Sequence, residues 1–173
     1  IARHAAEQVL VPGLVSMDGE QAAQSLQDVR LPPAGLVREF VAKPGDAIPT
    51  PTPAQQLLFG DTRRRVPRWH DPDRPVLLGA VQPQEAWGLG RAGGEVFFDS
   101  DLSNTIGLAF SEFAGLTGRR HRSLSAHRLE DATLILVVQG AAVETAEAVA
   151  DYLRDTQRMK VGVLGVRCLR PFP

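Results

Sequence analysis

The sequence predicts an α/β fold built on a strand–helix–strand crossover, and three observations in its last third carry that prediction. The run "ATLILVV" is continuously apolar, as a central strand covered on both faces must be. The following "VETAEAVADYLRD" sets Val143, Ala146, Val149, Ala150 and Leu153 on one helical stripe. A second apolar run, "KVGVLGVRCL", closes the unit. Two buried strands joined by one helix are parallel, because an antiparallel pair needs only a tight turn.

The elements before this crossover are shorter. "ARHAAEQVL" is helical and leads through Pro12 and Gly13 into "LVSM", a short apolar run closed by Asp18 and Gly19, which reads as a strand and a turn. "GEQAAQSLQD" is helix-capable and "VRL" extended. In "PPAGLVREFV", Leu36, Val37 and Phe40 fall at helical spacing behind two prolines suited to a helix start. Residues 1–41 are too few for a domain and read as the tail of a preceding one.

Residues 42–90 form a proline- and glycine-rich arm, opening with "KPGDAIPTPTPAQ". A coil of that length is uncommon inside a compact domain, so it is expected to lie extended over a neighbouring surface. Val76, Leu77, Leu78 and Trp87 are its docking residues. An α/β domain spans 91–173, beginning with a helix in "DSDLSNTIGLAFSEFAGLTG", where Leu102, Ile106, Ala109, Phe110 and Phe113 recur at three- and four-residue steps. Asp99 or Ser100 can cap this helix, and Gly115 or Gly118 can end it.

Composition narrows the function. The formal charge is -1, with 19 Lys and Arg against 20 Asp and Glu, so no global field gathers nucleic acid or a membrane surface. No apolar run approaches the ~18 residues of a membrane span. The single cysteine, Cys168, cannot make an internal disulfide or, alone, a cysteine-bound metal cluster, and a reducing cytoplasm fits. Cys168 itself reads as an inert thiol in an apolar strand. Neither end reads as a natural terminus, and the chain is expected to be a fragment.

Motif by motif, chemistry does not assemble. Gly140 ends a strand and starts a helix whose free amides suit an anion, but Ala141, Ala142 and Glu144 stand where a nucleotide loop needs further glycines or a Lys-Ser pair. "RRRVPRWH", residues 63–70, sets four arginines beside a tryptophan and reads either as a phosphate clamp or as a solvated arm. "GRRHR", 118–122, follows a helix end, where arginines satisfy carbonyls. His4, His70, His121 and His127 lack metal spacing, and Ser111, Ser123 and Ser125 lack a nucleophile elbow. No catalytic or metal residue is assigned, and cofactor-binding residues stay unknown.

The run "GRRHRSLSAHRLEDATLILVVQGAAVETAEAVADYLRDTQRMKVGVLGVRCLRPFP" resembles domain II of the pyruvate:ferredoxin (flavodoxin) oxidoreductases, the 2-oxoacid oxidoreductase family. The shared features are the Gly-Arg-Arg turn, the Glu-Asp-Ala lead into a strand, the glycine at its end, Lys-Val-Gly and Arg-Pro-Phe-Pro. "HAAEQVLVPGLVSMDG" is similar to the end of the family's pyrimidine-binding domain. The chain departs from the family at Glu20, Ala23 and Gln24, where many members carry an aromatic and a Ser-His, and at His121, which replaces a tyrosine.

The resemblance implies a three-layer αβα domain like the C-terminal domain of transketolases, with a mostly parallel sheet and a structural role in assembly. It implies a parent that oxidatively decarboxylates a 2-oxoacid on thiamine diphosphate. The parent passes electrons through iron–sulfur clusters to ferredoxin or flavodoxin, forms an acyl-CoA, and is a homodimer with other domains or subunits as partners. None of those cofactors is expected in this fragment, and by itself it is expected to be inactive. The reading from a different class is a stand-alone α/β module that binds a nucleotide or CoA phosphate at the Gly140 turn.

Overall fold

A computed structural model describes residues 1–26, 28–68, 83–96 and 101–173. In chain order the elements are α1 (Ala2–Val9), α2 (Gln21–Gln24), α3 (Ala34–Val41), β1 (Ala47–Pro49), α4 (Pro53–Phe59), β2 (Thr62–Arg64), α5 (Gln84–Gly94), α6 (Leu102–Thr117), β3 (Leu124–His127), β4 (Leu134–Gln139), α7 (Ala142–Gln157) and β5 (Val161–Val166). They fall into two compact units, Ile1–Leu14 with Pro32–Arg120, and Val15–Leu31 with His121–Pro173.

In the first unit α1, α3 and α6 pack on one another through Ala5, Val9, Phe40 and Ala109. Phe40 meets Phe113 edge-on, with ring centroids 5.3 Å apart, a geometry that sets the positive edge of one ring on the negative face of the other. Asp101 precedes α6, and its carboxylate accepts from Asn104 Nδ2 at 3.2 Å and Thr105 Oγ1 at 3.1 Å. Asp99 and Ser100, the expected caps, lie outside the described residues. Gly118 ends the helix at φ 73, its N–H donating to Ala114 O.

Part of the predicted arm is folded. β1 and β2 pair antiparallel, Ile48 opposite Arg63, with α4 between them. Pro49 and Pro53 permit this because each stands where no amide donor is needed: Pro49 closes a two-stranded edge and Pro53 opens a helix. Thr52 caps α4 by accepting from Gln55 N, and Gly60 leaves it at φ 77. Later in the arm α5 forms despite its glycines, yet Trp87 is 72% exposed and does not dock as expected. Val76, Leu77 and Leu78 lie outside the described residues.

The second unit holds a mixed sheet in the order β3-β5-β4, so the chain is α/β as the crossover implies. β4 and β5 run parallel with Leu136 opposite Val163, joined through α7. β3 adds an antiparallel edge, Leu124 opposite Val166, so the described strands make one parallel and one antiparallel pair. One sheet face and α7 close the core: Val161, Val163 and Ala150, with Leu136, Val138, Ala146 and Leu153 against them. Period-two alternation turns Ile135 and Val137 to the opposite face, where they are 49% and 66% exposed, so β4 stands at the end of the described sheet and is open on one face, not the central strand covered on both faces that its apolar run suggests. The expected strand "LVSM" does not form: Val15 and Met17 are exposed coil, and one short apolar run without a paired neighbour cannot satisfy its own backbone. Asp18 instead makes a turn, accepting from Glu20 N and Gln21 N ahead of the single-turn α2.

Candidate functional site

Gly140 sits where the sequence places it, between β4 and α7, at φ 68. A side chain built there meets nothing within 4 Å, so the glycine serves its backbone conformation rather than a close approach. Glu144 occupies the first turn of α7, and the amide of Val143 turns back to Gly140 O at 3.2 Å. Negative charge is already at this helix end.

The close approaches lie on β5. A Cβ at Gly162 would fall 2.8 Å from Arg128 O and 2.9 Å from Ala132 Cβ, and one at Gly165 would collide with Ser125 Oγ. These two glycines let β3 and its following turn close over the central strand. Ser125 is therefore a packing residue, while Ser111 donates to Gly107 O at 3.1 Å within its own helix.

Two polar networks brace this unit. Arg154 on α7 donates from Nε to Val161 O at 2.6 Å, from Nη2 to Arg128 O at 2.8 Å, and pairs Nη1 with Asp131 at 2.8 Å. The hydrogen bond from Arg154 holds the Asp131 carboxyl below its ordinary range, and Lys160 adds to this at 3.7 Å. Asp151 lies 3.1 Å from both His127 Nε2 and Arg128 Nε. Desolvation pushes its carboxyl up, but these neighbours outweigh that and leave it lowered. Spacing gave no sign of Arg154, since its partners sit seven and more residues away and only the folded crossover brings them together.

The candidate histidines are dispersed. His4 is buried, its Nδ1 2.7 Å from Phe40 O and its Nε2 3.3 Å from Glu112, while its ring stacks on Phe40. His121 is exposed, and His70 lies outside the described residues. Among the described residues no three of His, Cys, Asp and Glu gather as metal ligands. Cys168 lies past the end of β5 rather than in it, half-buried, with Sγ 3.5 Å from Arg170 O; the strand's pairing ends at Val166. One thiol cannot ligate an iron–sulfur cluster, so the donor set does not fit one.

The first arginine cluster behaves unlike a solvated arm. Arg63 and Arg65 are 4% and 7% exposed. Arg63 donates to the carbonyls of Glu7, Gln8, Arg64 and Arg65 at 2.6–2.9 Å, tying β2 to the C-terminal end of α1. The second cluster stays at the surface, with Arg120 and Arg122 exposed.

A parallel strand–helix–strand crossover with an antiparallel edge, its ionic groups engaged in bracing its own elements, defines the class as an α/β domain. Residues 132–173 match the family described as pyruvate:ferredoxin oxidoreductase core domain II. It is 30% identical over 165 residues to pyruvate synthase subunit PorA of Methanothermobacter thermautotrophicus, covering 95% of this chain and 37% of that protein. Against PorA of Methanocaldococcus jannaschii it is 28% identical over 169 residues, 96% of this chain and 38% of the relative. A probable pyruvate-flavodoxin oxidoreductase of Escherichia coli is 28% identical over 102 residues, 59% of this chain and 8% of its own length. The chain thus spans little more than a third of the PorA relatives it matches. No described helix is long and apolar enough to cross a membrane.

Proposed function

We propose that this chain is a non-catalytic assembly domain of a thiamine diphosphate-dependent 2-oxoacid:ferredoxin or flavodoxin oxidoreductase, whose parent converts a 2-oxoacid to an acyl-CoA in the cytoplasm. Residues 1–41 are then the tail of the pyrimidine-binding-type domain, 42–90 the connecting arm and 91–173 the transketolase C-terminal-like domain. The observation that carries the reading is the match of core domain II to β4, α7 and β5. In this unit the ion pairs of Arg154 with Asp131 and of Arg128 with Asp151 hold elements together.

An assembly role also accounts for the apolar surface formed by Ile135 and Val137 on the sheet face away from α7. Thiamine and cluster chemistry belong in this reading to other domains or subunits of a homodimeric parent, since one cysteine cannot hold an iron–sulfur cluster. Native purification tests it. The chain should emerge within, or bound to, polypeptides carrying thiamine diphosphate and iron–sulfur clusters, in a particle that reduces ferredoxin or flavodoxin when given a 2-oxoacid. Recovery as a free species without that activity would refute it.

A further inference from the structure

We propose that Arg65, with Arg63 beside it, is a binding site for a phosphate group. The two arginines are buried at the end of β2, and among the described residues Arg63 Nε, Arg65 Nε and Arg65 Nη1 have no hydrogen-bond acceptor. Among the described residues no carboxylate pairs with either arginine. Glu7, whose carbonyl Arg63 holds, turns its carboxylate Oε1 to Arg3 at 2.8 Å, and its Oε2 is buried without a hydrogen-bond donor among the described residues.

An unpaired buried cation is among the most costly groups a fold can carry, and a second like charge beside it raises that cost. Arginine does not escape by losing its proton. Burial, and then the charge of Arg65, push Arg63 down to about 10, which still leaves it charged at neutral pH. Four carbonyl acceptors occupy Arg63 and account for its place as a clamp. Nothing comparable accounts for Arg65. Its backbone is fixed by the bond from its N–H to Asp46 O at 2.8 Å, and by Val66 N to Pro44 O at 3.0 Å, and its side chain is buried.

Two adjacent positive charges match one group of nearly two negative charges, and guanidinium donors suit its oxygens. A monoanionic carboxylate would leave half the charge unmet. The occupant is therefore a phosphate, free or borne on a small molecule.

The test titrates the 173-residue chain with inorganic phosphate at constant ionic strength, against chloride and acetate. A saturable rise in the thermal midpoint with phosphate is expected, together with saturable broadening of the phosphorus resonance. Acetate should do far less. Arg65→Met should be at least as stable as the parent chain in chloride and bind phosphate at least ~10-fold more weakly. Absence of saturable broadening with the unmodified chain overturns the proposal, even if R65M fails to fold. Equal stabilisation by acetate overturns the assignment to phosphate.

Discussion

Arg154 Nη1 lies 2.8 Å from Asp131 Oδ1 while the same guanidinium holds the carbonyls of Val161 and Arg128, so one side chain fastens α7 to the start of β5 and to the turn after β3. Arg154→Met keeps the aliphatic stem and removes every one of these bonds. Because bonds to charged groups are worth about 1.5–3 kcal/mol each and this site is partly solvated, a loss of roughly 2–3 kcal/mol is expected in urea denaturation. A loss below about 0.5 kcal/mol would show that the bracing is dispensable.

The same carboxylates set the acid response. Asp131 and Asp151 both titrate below their ordinary range in the folded chain. A depressed carboxyl adds stability that is complete above its unfolded value, about 3.9, and is lost as pH falls through the lower folded value. Denaturation midpoints should therefore be flat with respect to these groups from pH 7 to about 5 and fall below that. In Asp131→Asn the acid slope should be shallower, and an unchanged slope would remove Asp131 from the account.

Glycines on either side of α7 should respond to substitution for different reasons. Gly162→Ala places a methyl against Arg128 O and Ala132 in a closed core, costing about 1–3 kcal/mol. Gly140→Val meets no neighbour but must hold φ 68, for about 1–2 kcal/mol, and Gly140→Asn should recover most of that. If Asn and Val cost the same at 140, backbone conformation is not what the glycine provides.

The contrast marks what the sequence discloses. The β4, α7 and β5 crossover was legible because each element is long and strongly patterned, and helices α1, α3 and α6 were legible in their apolar spacing. β3 is four residues, too short for a period to register. The strand–helix–strand unit at 47–64 was hidden because proline-rich composition reads as coil, although Pro49 ends a strand and Pro53 opens a helix, where a missing N–H is harmless. Arg63 and Arg65 read as solvated because arginine usually is, and only packing against the end of α1 shows them buried. Cys168 was misplaced by two residues of overrun past the last paired position.

The exposed sheet face gives a further expectation. Val137→Glu changes a side chain already 66% open to solvent, so the stability of the isolated chain should move by no more than about 0.5 kcal/mol. In the proposed parent the same substitution should disrupt assembly, read as a loss of the native particle in light scattering. A parent that assembles normally with this substitution would take the face out of the interface.

The most direct measurement of the central claim is the composition and activity of the native particle containing this chain. Purified without oxygen and analysed by mass spectrometry, metal analysis and 2-oxoacid-dependent reduction of ferredoxin, it should hold thiamine diphosphate and iron–sulfur clusters on polypeptide outside residues 1–173, and it should turn over. A particle made of this chain alone, or one whose other polypeptides bind neither cofactor and reduce nothing, would contradict the account.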